Sequence, residues 1–316
     1  MSIFTPPVRD TGRQDPASRS PQEGRPGESR PTDNGQTRQA GPARRPSRFG
    51  PGARKTAAFA VPAAVILIGL AWAIAPGIFA HGSPTETVGQ ALQAPSAQFW
   101  FGTDATGRDL YTRVIYGASE SIVGALVAVL VGFIAGTTLG VLAGSVGGLL
   151  DEAIMRFVDV LLAIPALLLS LSIVILLGFG TTNAAIAVGV TSIAVFARLA
   201  RSQVVSVRVS EYVEAAYGSG GTFWTVLWRH ILPNSLTPVV ALAALQLGSA
   251  ILQISTLGFL GYGAPPPTPE WGLLIAEGRN YVATAWWLTV LPGLVVVAIV
   301  LATNRLSHAI RGGEAA

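Results

Sequence analysis

The sequence predicts an all-α polytopic membrane protein, and three observations carry that prediction. Half of the 316 residues are apolar and only 12% are charged, whereas soluble domains carry about 25% charged residues. Gly is abundant, at 36 residues, as is common in membrane-spanning helices. Apolar runs also recur near the roughly 20 residues that a helix needs to cross hydrocarbon. Six qualify, at 57–80, 122–142, 154–177, 184–205, 236–260 and 286–306, so the chain is expected to return to its starting side.

Residues 1–54 are rich in Pro, Gly, Ser, Gln and Arg and poor in large apolar side chains. They cannot offset the entropy of ordering, so a disordered basic tail is expected. Such a tail either attracts anionic lipid or nucleic acid or is a solvated extension that fixes orientation. Its Arg residues are interleaved with acids, which favours the second, and no nucleic-acid partner is expected. The tail is much longer than the n-region of a secretory signal, so the first run reads as a retained anchor. With no Cys, disulfides and thiolate chemistry are excluded.

Cations are retained on the cytoplasmic side during insertion. The tail from Arg9 to Lys55, the segment with Arg208 and Arg229, and Arg311 fall on one side of the predicted spans. Arg108, Arg113 and Arg279 fall on the other, with Glu86, Asp104, Asp109, Glu270 and Glu277. Both termini are therefore expected on the cytoplasmic side of the membrane. The division is a tail (1–54), a first span with an extracytoplasmic segment (55–116) and a core (117–312).

Within the second run, Gly132, Gly136, Gly140 and Gly144 recur every four residues. That spacing places them on one helix face and admits another backbone closely, either in the chain's own bundle or in a second subunit. In the fifth run, Gln246, Ser249, Gln253 and Thr256 form a polar stripe. Polar groups in hydrocarbon need partners or water, so the stripe either lines a solute pathway or bonds between helices. Glu120, Asp159, Arg156, Arg198 and Arg201 are the ionisable groups near the spans. None is placed as the midplane relay that an ion-coupled carrier requires, which makes secondary transport the weaker reading.

Enzyme readings have less support. His81, His230 and His308 are far apart and form no metal-binding spacing, so no catalytic residue, metal site or bound cofactor is expected. The sole Lys, Lys55, follows Arg54 and not the Gly that a phosphate-binding loop places there. Any ATP chemistry must be supplied by another subunit.

The loop at 210–234 separates the fourth and fifth runs. Ser210 is placed to cap a helix whose first turn carries Glu211 and Glu214, matching the positive end of the helix dipole. Gly218, Gly220 and Gly221 are expected to turn the chain before a second helix from 222 to about 231, which Pro233 ends. That helix carries Phe223, Val226, Leu227 and His230 on one side, widened by Trp224, Trp228 and Ile231. Such an apolar surface needs a partner, either the membrane interface or a protein.

Glu214-Ala215-Ala216, Gly220 and His230-Ile231-Leu232-Pro233 resemble, in residue type and spacing, the EAA loop of binding-protein-dependent ABC importer permeases. His230 stands where the general pattern has Ile and, with Leu-Pro-Asn after it, is similar to the peptide branch, the DppC/OppC type. The stretch 101–109 with Arg113 and Gly117, the stretch 159–165, and Gly261-Tyr262-Gly263 running into 265–272 resemble the same branch. The sequence departs from it at Ala118-Ser119-Glu120-Ser121, near which relatives commonly carry a basic residue.

The resemblance implies a type I importer permease that translocates di- or oligopeptides, with glutathione or nickel as alternative cargo. It assigns ATPase docking to Glu214, Ala215, Ala216, Gly220, His230, Leu232 and Pro233. It also implies a second, homologous permease of the DppB/OppB type, an extracytoplasmic solute-binding protein, and two ATPase subunits that carry ATP and Mg. Membrane lipid is the remaining partner.

The extracytoplasmic segments have structural readings too. Asp104 or Thr106 is placed to cap a helix through Leu110, Tyr111, Val114 and Ile115, and the proline run stiffens a loop. Trp271, Trp286 and Trp287 read as interfacial anchors.

Overall fold

The computed structural model describes residues 51–313, and the side chains of 60–307. Residues 1–50 of the expected tail, and the side chains of Lys55, His308 and Arg311, lie outside these, whereas residues 51–54, placed in the tail by composition, are the start of a helix. The first predicted span is helix α1 (Pro51–Ile74), followed by a single turn, α2 (Pro76–Phe79). An irregular segment then leads to α3 (Leu110–Val146), a 37-residue helix. It begins well before the predicted span and runs through the boundary expected at 116/117. Its cap is Asp109, whose carboxylate accepts from the Thr112 N–H, and not Asp104 or Thr106.

The third predicted span is broken. α4 (Gly148–Ala163) and α5 (Ala166–Leu177) meet at 95° across Ile164-Pro165. Proline lacks an N–H and forces the preceding residue out of the helical region, and Ile164 accordingly has φ −93° and ψ 130°. α6 (Thr181–Arg208) is the fourth span, and two short helices follow, α7 (Glu211–Gly218) and α8 (Phe223–Val226). The chain continues through a π-helical turn (Leu227–Ile231) into α9 (Leu232–Phe259). α10 (Trp271–Gly278) and α11 (Trp287–Gly313) complete the chain.

Pro233 therefore does not end a helix. The Leu232 N–H reaches the Leu227 carbonyl, five residues back. This wider turn, immediately before the proline, makes room for a ring that an ordinary α-turn would crowd. Phe223–Phe259 is consequently one 37-residue helical element.

By length and composition, four described helices can cross a membrane, and five if α4 and α5 form one bent span. Ala60–Ile74 of α1 is a shorter apolar helix. Thus each of the six predicted runs is helical, one of them bent.

α3 and α6 form the most extensive helix pair, and the glycine stripe explains it. A Cβ at Gly136 would lie 2.5 Å from the Ile193 carbonyl, and one at Gly140 would lie 2.4 Å from that of Ala197. Gly132 and Gly144 face Ser192 and Val204 in the same way. These contacts are all made within the chain's own bundle.

Ion pairs tie α4 to α6. Asp151 receives both Nε and Nη2 of Arg201, at 2.5 and 2.7 Å, and Asp159 pairs with Arg198. Arg156 instead reaches back to Glu152 at 3.2 Å.

Candidate functional site

The loop between α6 and α9 is anchored by its apolar side chains. Val213, Val226, Leu227, Ile231 and Leu232 are buried in one cluster with Val204 of α6, and Val141 and Leu236 pack against it. The apolar surface predicted for the second helix is thus divided. Part of it finds its partner inside the chain, while Trp224 and Trp228 remain 65% and 67% exposed.

Local chemistry sets the elbow. Ser210 precedes α7 but its hydroxyl donates to the Val207 carbonyl, so the expected side-chain cap is not formed. Glu211 and Glu214 do occupy the first turn. At the far end, Gly220 has φ +88°, a left-handed conformation that costs other residues about 1–2 kcal/mol. The N–H groups of Gly220 and Gly221 then close onto the Tyr217 and Ala216 carbonyls, at 2.9 and 3.0 Å. Thr222 caps α8 through the Thr225 N–H.

Folding back in this way opens a recess of ≈ 490 Å³ between the two short helices. Ala215, Ala216, Gly220 and His230 line it, with Tyr212 and Thr225 among the others. Glu214 and Pro233 are exposed and do not line it, whereas Leu232 lies in the buried cluster. Beside Pro233, the Asn234 amide donates to the His230 carbonyl at 2.7 Å. Backbone turns and small side chains shape the recess. Among the described residues, no group of His, Asp and Glu could hold a metal ion.

The polar stripe of α9 is only partly satisfied. Gln253 Nε2 lies 3.5 Å from the Ser249 carbonyl, and its Oε1 is buried without a partner. A larger cavity of ≈ 700 Å³ lies among α4, α6 and α9, lined by Leu162, Arg198, Ser202, Pro238 and Leu242 among others. A second groove meets α9 at Leu252, Ser255, Thr256 and Phe259, against α10 and α11. Gln246 and Ser249 lie between the two along the helix, and Gln253 falls within the stretch that the second groove meets.

At the opposite end of the bundle, two segments singled out by the sequence meet. Arg113 is fully buried and its Nη1 donates to Asp104 at 2.8 Å and to Glu277 at 2.6 Å. Asp104 also accepts from the Thr106 hydroxyl and N–H, and from Nε and N–H of Arg108. Burial pushes the Asp104 carboxyl up, but these backbone and side-chain donors, together with Arg113, outweigh it and hold it below its ordinary value.

The expected interfacial role of two tryptophans is overturned here. Trp271 is fully buried, its Nε1 donating to the Val114 carbonyl at 2.9 Å, and Trp287 is 6% exposed. Only Trp286 projects. The reason is that α10 packs onto α3, α9 and α11 and does not lie at the rim.

Glu270, which the sequence offered only as an extracytoplasmic acid within the stretch 265–272, caps α10. Its two oxygens accept from the Gly272 and Leu273 N–H groups at 2.8 and 3.1 Å. The carboxyl sits where Cβ atoms on Gly258 and Gly263 would otherwise fall, 1.9 and 2.9 Å from Oε2. Burial pushes its pKa up to about 7, with nearby Glu120 adding to the rise, against lowering by Gly272, Leu273 and Ser121. The signal available in the sequence was the pair of glycines flanking Gly261.

These features define a multi-pass helical membrane subunit that presents a two-helix loop at one end. Residues 136–311 match the family described as binding-protein-dependent transport system inner membrane component, and the chain belongs to that family. It is 40% identical over 247 residues to the probable D,D-dipeptide transport system permease protein DdpC of Escherichia coli K12, covering 78% of this chain and 83% of that one. It is 39% identical to the dipeptide transport system permease protein DppC of Alkalihalophilus pseudofirmus, covering 70% and 72%. With the glutathione transport system permease protein GsiD of Shigella flexneri serotype 5b it shares 44% identity, covering 69% and 72%.

Among solved structures, the fold is similar to a chain of the MetNI methionine ABC transporter, with TM-score 0.51 at 19% identity, covering 64% of this chain and 97% of that one. A chain of an amino acid ABC transporter gives TM-score 0.51 at 13% identity, covering 63% and 93%. The expected fold class, a permease-type helical membrane protein, is therefore the one found.

Proposed function

We propose that this chain imports di- or oligopeptides as one permease of a heterodimer, driven by two ATPase subunits that bind ATP and Mg and supplied by an extracytoplasmic solute-binding protein. Relatives named for dipeptide and glutathione transport support this cargo class, glutathione being itself a small peptide. The loop and both termini face the cytoplasm, as the distribution of Arg favours.

The observation that carries the reading is the recess at the elbow of α7 and α8. Ala215, Ala216, Gly220 and His230 converge on it, and the helix that bounds it runs unbroken into α9. An ATPase surface seated there would push on α9 directly, and through the buried cluster on α3 and α6. Glu214 and Pro233 would form the exposed rim of that contact, and Leu232 would hold the loop to the bundle. Binding of ATP would favour one arrangement of the spans and its release another. Gln246, Ser249 and Gln253 would border the solute's path.

The test is uptake by the assembled transporter carrying Gly220→Asp. The side chain has open space around it, so the bundle should still insert, while uptake is lost and the ATPase subunits no longer co-purify. Normal uptake would refute the role of the elbow. Transport by the permease pair alone, driven by an ion gradient, would instead establish an ion-coupled carrier.

A further inference from the structure

α3 carries one carboxylate within its span, Glu120, that has no cation beside it. Among the described residues, Arg108, Arg113, Arg156, Arg198 and Arg201 are each paired with other acids. Among the described residues, none hydrogen-bonds the Glu120 side chain or the hydroxyls of Ser119, Thr181 and Thr182. These four groups nevertheless share one groove of ≈ 230 Å³ between α3 and the start of α6. Its floor is apolar and small, with Gly124 bringing the Thr181 methyl to 3.2 Å of where its own Cβ would stand.

An unpaired carboxylate in a membrane span is costly and normally marks a ligand or a pathway. The sign of the missing partner follows from the lining, because Glu120 is the one charged group in the groove and no cation is paired with it. An ammonium group would neutralise it and carries three donors, enough for the carboxylate and two of the hydroxyls. The groove is smaller than the roughly 300 Å³ at which sites for whole small molecules begin, so it takes a terminal group. A divalent metal ion would require six or more oxygen ligands, several of them charged. Only one carboxylate lines this groove.

We infer that the groove formed by Glu120, Ser119, Thr181 and Thr182 receives the protonated amino terminus of the peptide during translocation. This rests on the peptide reading above. The experiment is initial uptake of trialanine and of N-acetyl-trialanine by the complete transporter in liposomes, with each peptide saturating the binding protein.

Glu120→Gln should lower trialanine uptake about tenfold, as expected for losing a charged hydrogen bond, while N-acetyl-trialanine uptake changes less than about twofold. Thr182→Val should act in the same direction with a smaller effect, and Glu120→Asp should retain most trialanine uptake. Co-purification of all subunits checks assembly independently. Unchanged trialanine uptake in Glu120→Gln overturns the inference, as does an equal loss for both peptides accompanied by failure to assemble, which would place Glu120 at a subunit contact. Absence of uptake of either peptide by the unsubstituted transporter overturns the peptide reading itself, and the inference with it.

Discussion

Arg113 and Glu277 stand 164 positions apart in the chain, yet the guanidinium Nη1 lies 2.6 Å from the carboxylate. Arg113 is 0% exposed and Glu277 30%, so the pair fixes α10 to the base of α3 from inside the bundle. Replacing Arg113 by Met leaves Asp104 and Glu277 facing each other without a cation. Removing one partner of a buried pair costs about 3–5 kcal/mol. The Arg113→Met protein should therefore melt well below the wild type in detergent, and Arg113→Met with Asp104→Asn should recover part of the loss. An unchanged melting temperature would mean that the pair is dispensable.

The glycine stripe makes a steric prediction with its own control. At Gly140 a Cβ would meet the Ala197 carbonyl at 2.4 Å and Ala200 Cβ at 2.7 Å, so Gly140→Val must force α3 and α6 apart. Overpacking of this kind typically costs about 1–3 kcal/mol. Gly293 in α11 has nothing within 4 Å, so Gly293→Ala should be neutral or stabilising by up to about 1 kcal/mol. Comparable melting of the two variants would refute α3–α6 close packing.

Glu270 predicts a dependence on pH with a definite sign. Its folded pKa of about 7 lies above the ordinary value of 4.5, so between these values the folded chain holds a proton that the unfolded chain has released. Stability must then fall as pH rises through this window, by on the order of 3 kcal/mol in all. Asp104, held low, stays ionised throughout and contributes no slope there. Melting scans from pH 5 to pH 8 should show the decline, and Glu270→Gln should flatten it. A flat wild-type profile from pH 5 to pH 8 would show that the carboxyl is ionised in place.

Trp271 offers a smaller test. Trp271→Phe keeps most of the buried ring but removes the indole N–H that donates to the Val114 carbonyl at 2.9 Å, a loss of about 0.5–1.5 kcal/mol. The same exchange at exposed Trp286 should change little, and equal effects at the two positions would contradict the burial of α10.

The helical runs were legible in the sequence because hydrocarbon imposes length and composition directly. Pro165 was visible too, but whether a proline breaks a helix depends on what can absorb it. At Pro165 nothing does and the chain bends, whereas at Pro233 a π-helical turn takes up the strain and the helix continues. Residue spacing alone could not separate these outcomes. The loop residues were legible as a motif, yet their division between a recess, an exposed rim and a buried cluster required the fold. Glu270 and the buried tryptophans escaped because their burial depends on α10 packing against helices distant in sequence.

The 37 residues from Phe223 to Phe259 amount to a rod of about 55 Å at 1.5 Å per residue. The π-helical turn and Pro238 are both near its loop end, so whatever compliance it has is concentrated there. Beyond Pro238 the rod is a stiff lever arm about 32 Å long, and a few degrees of tilt become a displacement of about 2 Å at its tip. That tip carries Ser255 and Gly258, against which Gly272 and Glu270 are seated with no room for a methyl group. A swing of the lever must therefore either drag α10 with it or unseat Glu270.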